Sequence, residues 1–353
     1  MKLFQCSQCF HPIFFENTVC EKCGSPVGYL NDQNTVIALR ARNGAWQTET
    51  DSENLYRFCK NYEYGVCNWL VQAAGDQERC VACELNRTIP NLNSEQNLRS
   101  WKKLEVAKHR LVYSLLRFGL PLQSKSAAPE NGLAFHFLSD DPTRQNQNGV
   151  ITGHLQGDIT INIAEADSAY RERTREKLAE PYRTLIGHFR HEIGHYYWEQ
   201  FSKIQALHLD TFRDLFGDER VNYAERLHNY HQVGAPDDWQ DRFVSAYATV
   251  HPWEDWAETW AHYFHIVDTL ETAHSFRIRL NPDLKNIDEL DMQADFDPYQ
   301  QSDFEAIISS YIPLTVAINS LNRSMGLPDL YPFILPLPVI EKLKFMHQLM
   351  QQF

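Results

Sequence analysis

His191-Glu192-Ile193-Gly194-His195 carries the densest chemistry in this 353-residue chain. An α-helix advances about 100° per residue, so side chains four apart share one face. Both imidazoles can therefore reach a single metal ion, and zinc takes such nitrogen ligands in hydrolytic sites. Glu192 stands next to the first histidine, at the edge of that face. A carboxylate there can take a proton from a water the metal activates without binding the metal itself. Leu185, Ile186, Phe189, Ile193 and Tyr197 recur around the motif at helical spacing. They predict a largely buried helix with Pro181 in its first turn. Polar groups on a buried helix need partners, so two histidines and a glutamate ask for a metal or a dense hydrogen-bond network.

Two histidines do not complete a catalytic zinc site, which usually has three protein ligands and an open position. The extended pattern with a third histidine is closed here, because Trp198 and Phe201 occupy its glycine and histidine slots. The segment Trp253–His262 offers another route. Trp253, Trp256 and Trp260 form an apolar stripe that can anchor a helix, while Glu254, Ala257, Glu258 and Ala261 share another face. The alanines permit a close approach to the histidine helix. Glu254 can then bind zinc while Glu258, one turn on, hydrogen-bonds a ligand histidine. Glu258 itself, His251, His262 and His265 remain alternatives for the third ligand.

All eight cysteines fall between Cys6 and Cys83. Cys6, Cys9, Cys20 and Cys23 make two C-x-x-C pairs around a spacer suited to a small β-ribbon, the pattern of a structural zinc site. Cys59, Cys67, Cys80 and Cys83 form a second set, of which the last two have the same spacing. Both sets would be coordinatively full and hence structural. They would stabilise segments too short to fold on apolar burial alone.

The elements that must position these residues follow from pattern and punctuation. Residues 1–30 read as the ribbon, and Thr35–Leu39 and the Trp46 region as strands turning at Gly44. Trp101, Leu104, Leu111, Leu115 and Phe118 mark a helix over 97–118, stopped by Gly119 and Pro121. Strands are expected at Leu133–Leu138 and Gly157–Ile163, with a polar loop at 139–149. Helices are expected at 253–271, at 302–322 with a kink or break at Pro313, and from Val339 onward, after a proline-rich strap at Tyr331–Pro338. This is an α+β chain with a zinc-ribbon region at 1–90 and a mostly helical domain with a small sheet at 91–353.

The composition, 43% hydrophobic and 22% charged, is that of a globular protein. A net charge of −13 argues against nucleic acid or an anionic membrane as partner. Residues 1–90 hold ten acidic and eight basic side chains, so the ribbon lacks the charge to bind nucleic acid and suits packing or docking to a protein partner. No run of 18 apolar residues and no signal-peptide core is visible, which points to no membrane span and a cytoplasmic location.

Several stretches together resemble a known bacterial family. They are the ribbon, Cys67-Asn68-Trp69-Leu70, Thr152-Gly153-His154, Ile159–Asn162, Gly187–Trp198, Phe216-Gly217-Asp218-Glu219 and His251–Glu258. The family is one of zinc-binding metallopeptidases with an N-terminal zinc ribbon, and the likeness covers nearly the whole chain. A second, local resemblance is to the catalytic core of lethal-factor-type gluzincin peptidases, in which a tyrosine stands seven residues before the ligand glutamate. Tyr247 stands seven residues before Glu254 here. The resemblance implies a zincin-like fold with His191, His195 and Glu254 holding a catalytic zinc, Glu192 as general base, Tyr247 as hydroxyl donor to the oxyanion and Glu258 behind a ligand histidine. The expectation is then a zinc metallopeptidase acting on a peptide or protein substrate, with one catalytic and two structural zinc ions. A zinc-stabilised interaction protein and a zinc amidohydrolase acting on a non-peptide substrate are the alternatives.

Overall fold

The opening strands are short because the cysteines beside them hold the turns. In the computed structural model, which describes residues 2–49, 53–140, 150, 152–178, 182–204, 207–283 and 288–353, β1 (Phe4–Gln5) pairs antiparallel with β2 (Pro12–Ile13). Cys6 closes the turn between them: its N–H donates to His11 O at 2.9 Å, and its carbonyl accepts from Phe10 N at 2.9 Å. An antiparallel meander follows, made of β3 (Val27–Leu30), β4 (Thr35–Arg42), β5 (Ala45–Thr48), β6 (Leu55–Phe58) and β7 (Leu70–Gln72). Asn43 and Gly44 both take positive φ, 53° and 77°, the backbone a two-residue hairpin turn between twisted strands needs. Leu30, Ile37, Leu39, Tyr56 and Leu70 form the meander's core, with Trp46 and Phe58 packed against it.

Next come α1 (Val81–Glu84), β8 (Asn86–Thr88) and α2 (Glu95–Arg117). Ser94 caps α2, its hydroxyl accepting from Asn97 N. Then follow β9 (Ala134–Leu138), β10 (Gly153–Leu155) and β11 (Asp158–Asn162). β9 runs parallel to β8 on one side and to β11 on the other. Phe135, Phe137, Ile159 and Ile161 alternate onto one buried face, as the period of two requires. Lys108 of α2 lies 5.6 Å from the centroid of the Phe137 ring, and its buried ammonium pairs with Glu105 at 2.8 Å.

By contact the chain divides into two units. The first is residues 1–153 with 157–167, and the second is 154–156 with 168–353. Residue 90 thus lies inside the first unit, between β8 and α2. The loop expected at 139–149 lies almost wholly outside the described residues, as does Pro181.

The second unit is built from α3 (Ser168–Leu178), α4 (Leu185–Lys203), α5 (Leu209–Phe216), α6 (Tyr223–Val233), α7 (Pro252–Phe276), the ribbon of β12 (Arg279–Leu280) and β13 (Met292–Gln293), α8 (Phe304–Ser324) and α9 (Leu337–Met350). α4 opens later than expected: Thr184 is its cap, its hydroxyl accepting from Gly187 N at 3.1 Å. A capping hydroxyl satisfies an otherwise orphaned donor, which a first-turn proline does not do. α8 runs through Pro313 as one helix, so of the kink or break expected there the break is absent. It is also, among the described residues, the one helix long and apolar enough to cross a membrane by length and composition, although it holds no run of 18 apolar residues. Its Ile307, Ile308, Tyr311 and Leu314 are buried, and α8 packs against α7. Its Ile312, Val316 and Leu321 are exposed.

α4 and α7 form the centre of this unit. Gly194 makes their approach possible. A Cβ there would meet Ala257 Cα at 3.1 Å and the Trp260 ring at 3.2 Å. Trp256 Nε1 donates to Gly194 O at 2.8 Å, and Tyr197 stacks on Trp260 with ring centroids 5.2 Å apart. α9 braces α7 from another side: the buried Lys342 ammonium donates to Asp255 Oδ2 at 2.7 Å.

Candidate metal centre

The α4–α7 approach brings the polar residues of both helices to one point. His191 Nε2 and His195 Nε2 are 3.2 Å apart, and Glu254 Oε2 lies 3.0 Å from the first and 3.5 Å from the second. Ligands about 2.0–2.1 Å from a tetrahedral zinc stand about 3.3 Å from one another, so the three atoms mark corners around one ion. Glu254 is buried, yet its Oε2 has no hydrogen-bond partner in the protein. Such an orphaned carboxylate oxygen is costly unless a cation meets it, and the donor set fits zinc.

The remaining positions on the two helices sort by where their side chains go. Glu258 Oε1 sits 2.6 Å from His191 Nδ1, the hydrogen bond that turns Nε2 toward the centre. His251 is occupied at both nitrogens: Nδ1 accepts from Trp253 N at 3.1 Å, capping α7, and Nε2 lies 3.1 Å from Val221 O, to which it donates. His262 Nδ1 is 2.6 Å from Tyr331 Oη, and His265 Nδ1 is paired with Arg190. None of these three histidines joins the cluster; His191, His195 and Glu254 do.

Burial raises the Glu192 carboxyl above the ordinary range, against the pull of His191 and His195. Burial alone would lower His191, but Glu254 and Glu258 outweigh it and push the imidazole well up. Burial would likewise raise Glu254, yet His195 and His191 hold it well below the usual carboxylate range. The two shifts are one interaction seen from both sides, carboxylate and imidazole each favouring the other's charged form.

Tyr247 lies close by, its ring 6.0 Å from that of His191. Burial, and then Glu254, raise its hydroxyl far above the ordinary tyrosine range, so it stays protonated and able to donate. Sequence reasoning missed Tyr223, whose hydroxyl donates to Glu254 Oε1 at 2.7 Å. The readable signal was the stripe Tyr223, Leu227, Tyr230 on an otherwise polar helix.

In the first unit the cysteines gather into the two expected groups. Cys6 and Cys23 sulfurs stand 3.8 Å apart, Cys9 and Cys20 3.6 Å, and Cys67 and Cys80 3.7 Å. Thiolates about 2.3 Å from a tetrahedral zinc are separated by about 3.8 Å, so these sets fit zinc as well. No cysteine is in a disulfide. Backbone N–H groups point at the sulfurs, Trp69 N at Cys67 Sγ and Cys80 N at Cys59 Sγ, each at 3.4 Å.

A family described as "putative zinc-binding metallo-peptidase" matches residues 97–349, and a zinc-ribbon domain matches residues 3–94. Proteins of Mycobacterium bovis and Mycobacterium tuberculosis are each 38% identical to the chain over 352 residues, covering 100% of it and 96% of their own length; they are themselves uncharacterized. No solved structure matches the chain. The first match takes in α4 and α7 whole, and with a zinc-ribbon domain ahead of it the chain belongs to the family so described.

Proposed function

We propose that the protein hydrolyses peptide bonds in the gluzincin manner, with His191, His195 and Glu254 holding a catalytic zinc. The observation that carries this reading is the convergence of the two Nε2 atoms on a buried carboxylate oxygen that has no other partner. Zinc bound there would polarise the scissile carbonyl and make a water acidic enough to attack at neutral pH. Glu192, next to the first histidine, accepts the attacking water's proton and later hands it to the leaving amine. Its raised pKa suits both transfers. The Tyr247 hydroxyl donates to the carbonyl oxygen as negative charge develops there. Glu258 keeps His191 in one tautomer and one orientation. The ribbon's exposed Phe10 and Phe14 support a docking role for that region toward a protein partner.

A peptide-library digest of the zinc-loaded protein beside its Glu192→Gln and Tyr247→Phe variants tests this. Cleavage should vanish in Glu192→Gln with metal content unchanged, and should slow about 100-fold in Tyr247→Phe. Equal cleavage by native and Glu192→Gln proteins would overturn the mechanism.

A further inference from the structure

The two oxygens of Glu254 face different neighbours. Oε2 is turned to the histidine nitrogens, while Oε1 accepts the Tyr223 hydroxyl at 2.7 Å. Tyr223 opens α6, whose half-buried residues are Tyr223, Leu227 and Tyr230 and whose others are all exposed. Spaced four and three apart, these three form one stripe. At its far end Tyr230 sets its ring edge against Tyr247, with centroids 5.9 Å apart. Tyr223 spends its one proton on Glu254.

The position of Tyr223 is itself fixed from α7. His251 caps α7 three residues before Glu254, and through its other nitrogen it holds the Val221 carbonyl two residues before Tyr223. Its ring also lies against Tyr223, with centroids 5.3 Å apart. One histidine therefore sets both ends of the Tyr223–Glu254 hydrogen bond.

We infer that Tyr223 is a positioning residue of the metal centre: its hydroxyl occupies Glu254 Oε1, so that the carboxylate presents a single oxygen, and the α6 stripe sets the Tyr247 ring. The inference rests on the zinc reading above. A catalytic zinc must keep a position open for water and substrate. Without the Tyr223 hydroxyl, Oε1 would be a buried acceptor with no donor, and the metal would become its nearest partner. Two-oxygen binding would then fill the position that has to stay open.

The test is cobalt(II) substitution of the full chain, with zinc kept in the cysteine sites and the histidine site stripped by a mild chelator and refilled with Co²⁺. Visible absorption of cobalt weakens as its coordination number rises. Tyr223→Phe keeps the ring and removes only the hydroxyl. It should bind Co²⁺ with a clearly weaker visible band, and the zinc form should hydrolyse peptide about 10–100-fold more slowly with little change in KM. A slower enzyme with an unchanged cobalt spectrum would show that the hydroxyl acts otherwise than by occupying Glu254, and an unchanged rate and spectrum would show that Tyr223 only packs; either would overturn the inference while leaving the metal centre intact. If the native protein takes up no cobalt that His191→Ala abolishes, the metal-centre reading fails and this inference with it.

Discussion

At the scale of single residues, the informative contrast is between Glu254 and Glu258, one helical turn apart on α7. Glu254 Oε2 faces both histidine nitrogens, whereas Glu258 Oε1 grips the back of His191. Glu254→Ala should abolish metal binding at this centre. Glu258→Ala should retain it with affinity lowered about 10–100-fold, the usual loss when a histidine's outer partner is removed. Competition against a chromogenic chelator measures both, and the reverse order would reassign the two carboxylates. The sequence made the histidine pair legible, because a spacing of four has one meaning on a helix. It left His251, His262 and His265 open beside the two glutamates, because spacing does not say how α7 is rotated against α4. The rotation is set by long-range partners: Val221 for His251, Tyr331 for His262 and Arg190 for His265.

At the scale of elements, the centre depends on how closely two helices approach. The sequence reading credited Ala257 and Ala261 with that closeness, but it also requires Gly194, inside the motif itself. Gly194→Ala would improve helix propensity by about 1 kcal/mol. It would also drive a methyl group into the α7 backbone at Ala257 and the Trp260 ring, and overpacking of this kind costs about 1–3 kcal/mol. The expected balance is a lower urea midpoint together with weaker metal binding, because the helices that carry the donors are pushed apart. A variant as stable as the native protein with unchanged metal affinity would show that the contact can relax. Element boundaries were less legible than element types. Thr184 displaced Pro181 as the start of α4 through a hydrogen bond, and α8 absorbed Pro313 within a continuous helix.

At the scale of the whole molecule, the clusters predict three zinc ions per chain, two on cysteines and one on the histidine pair with Glu254. Elemental analysis of protein purified without added metal should read about three, and His191→Ala should remove one. A native value of two with all cysteines protected from a thiol reagent would deny the histidine centre. Acid should weaken the second unit through His262. Burial, with Arg190 adding to it and Glu258 opposing, pushes this imidazole down to about 4. The unfolded chain takes up a proton near its ordinary value of about 6.5 while the folded one does not. The contribution is therefore complete above about 6.5 and lost as pH falls toward 4, on the order of 3 kcal/mol in all. Urea midpoints between pH 7 and 4.5 should fall, and less steeply in His262→Gln, which can keep a hydrogen bond to Tyr331; parallel curves would assign the acid sensitivity elsewhere.

The distribution of donor atoms has a chemical consequence. Every sulfur able to form a thiolate lies in the first 83 residues, while the cluster in the second unit is made of imidazole and carboxylate alone. Peroxide and disulfide reagents consume thiolates and leave imidazole and carboxylate ligands untouched. Oxidation would therefore dismantle the cysteine sites and spare the imidazole–carboxylate cluster, whereas protons compete with the metal at both kinds of ligand. A zinc-release assay run with and without oxidant would therefore read the two units separately.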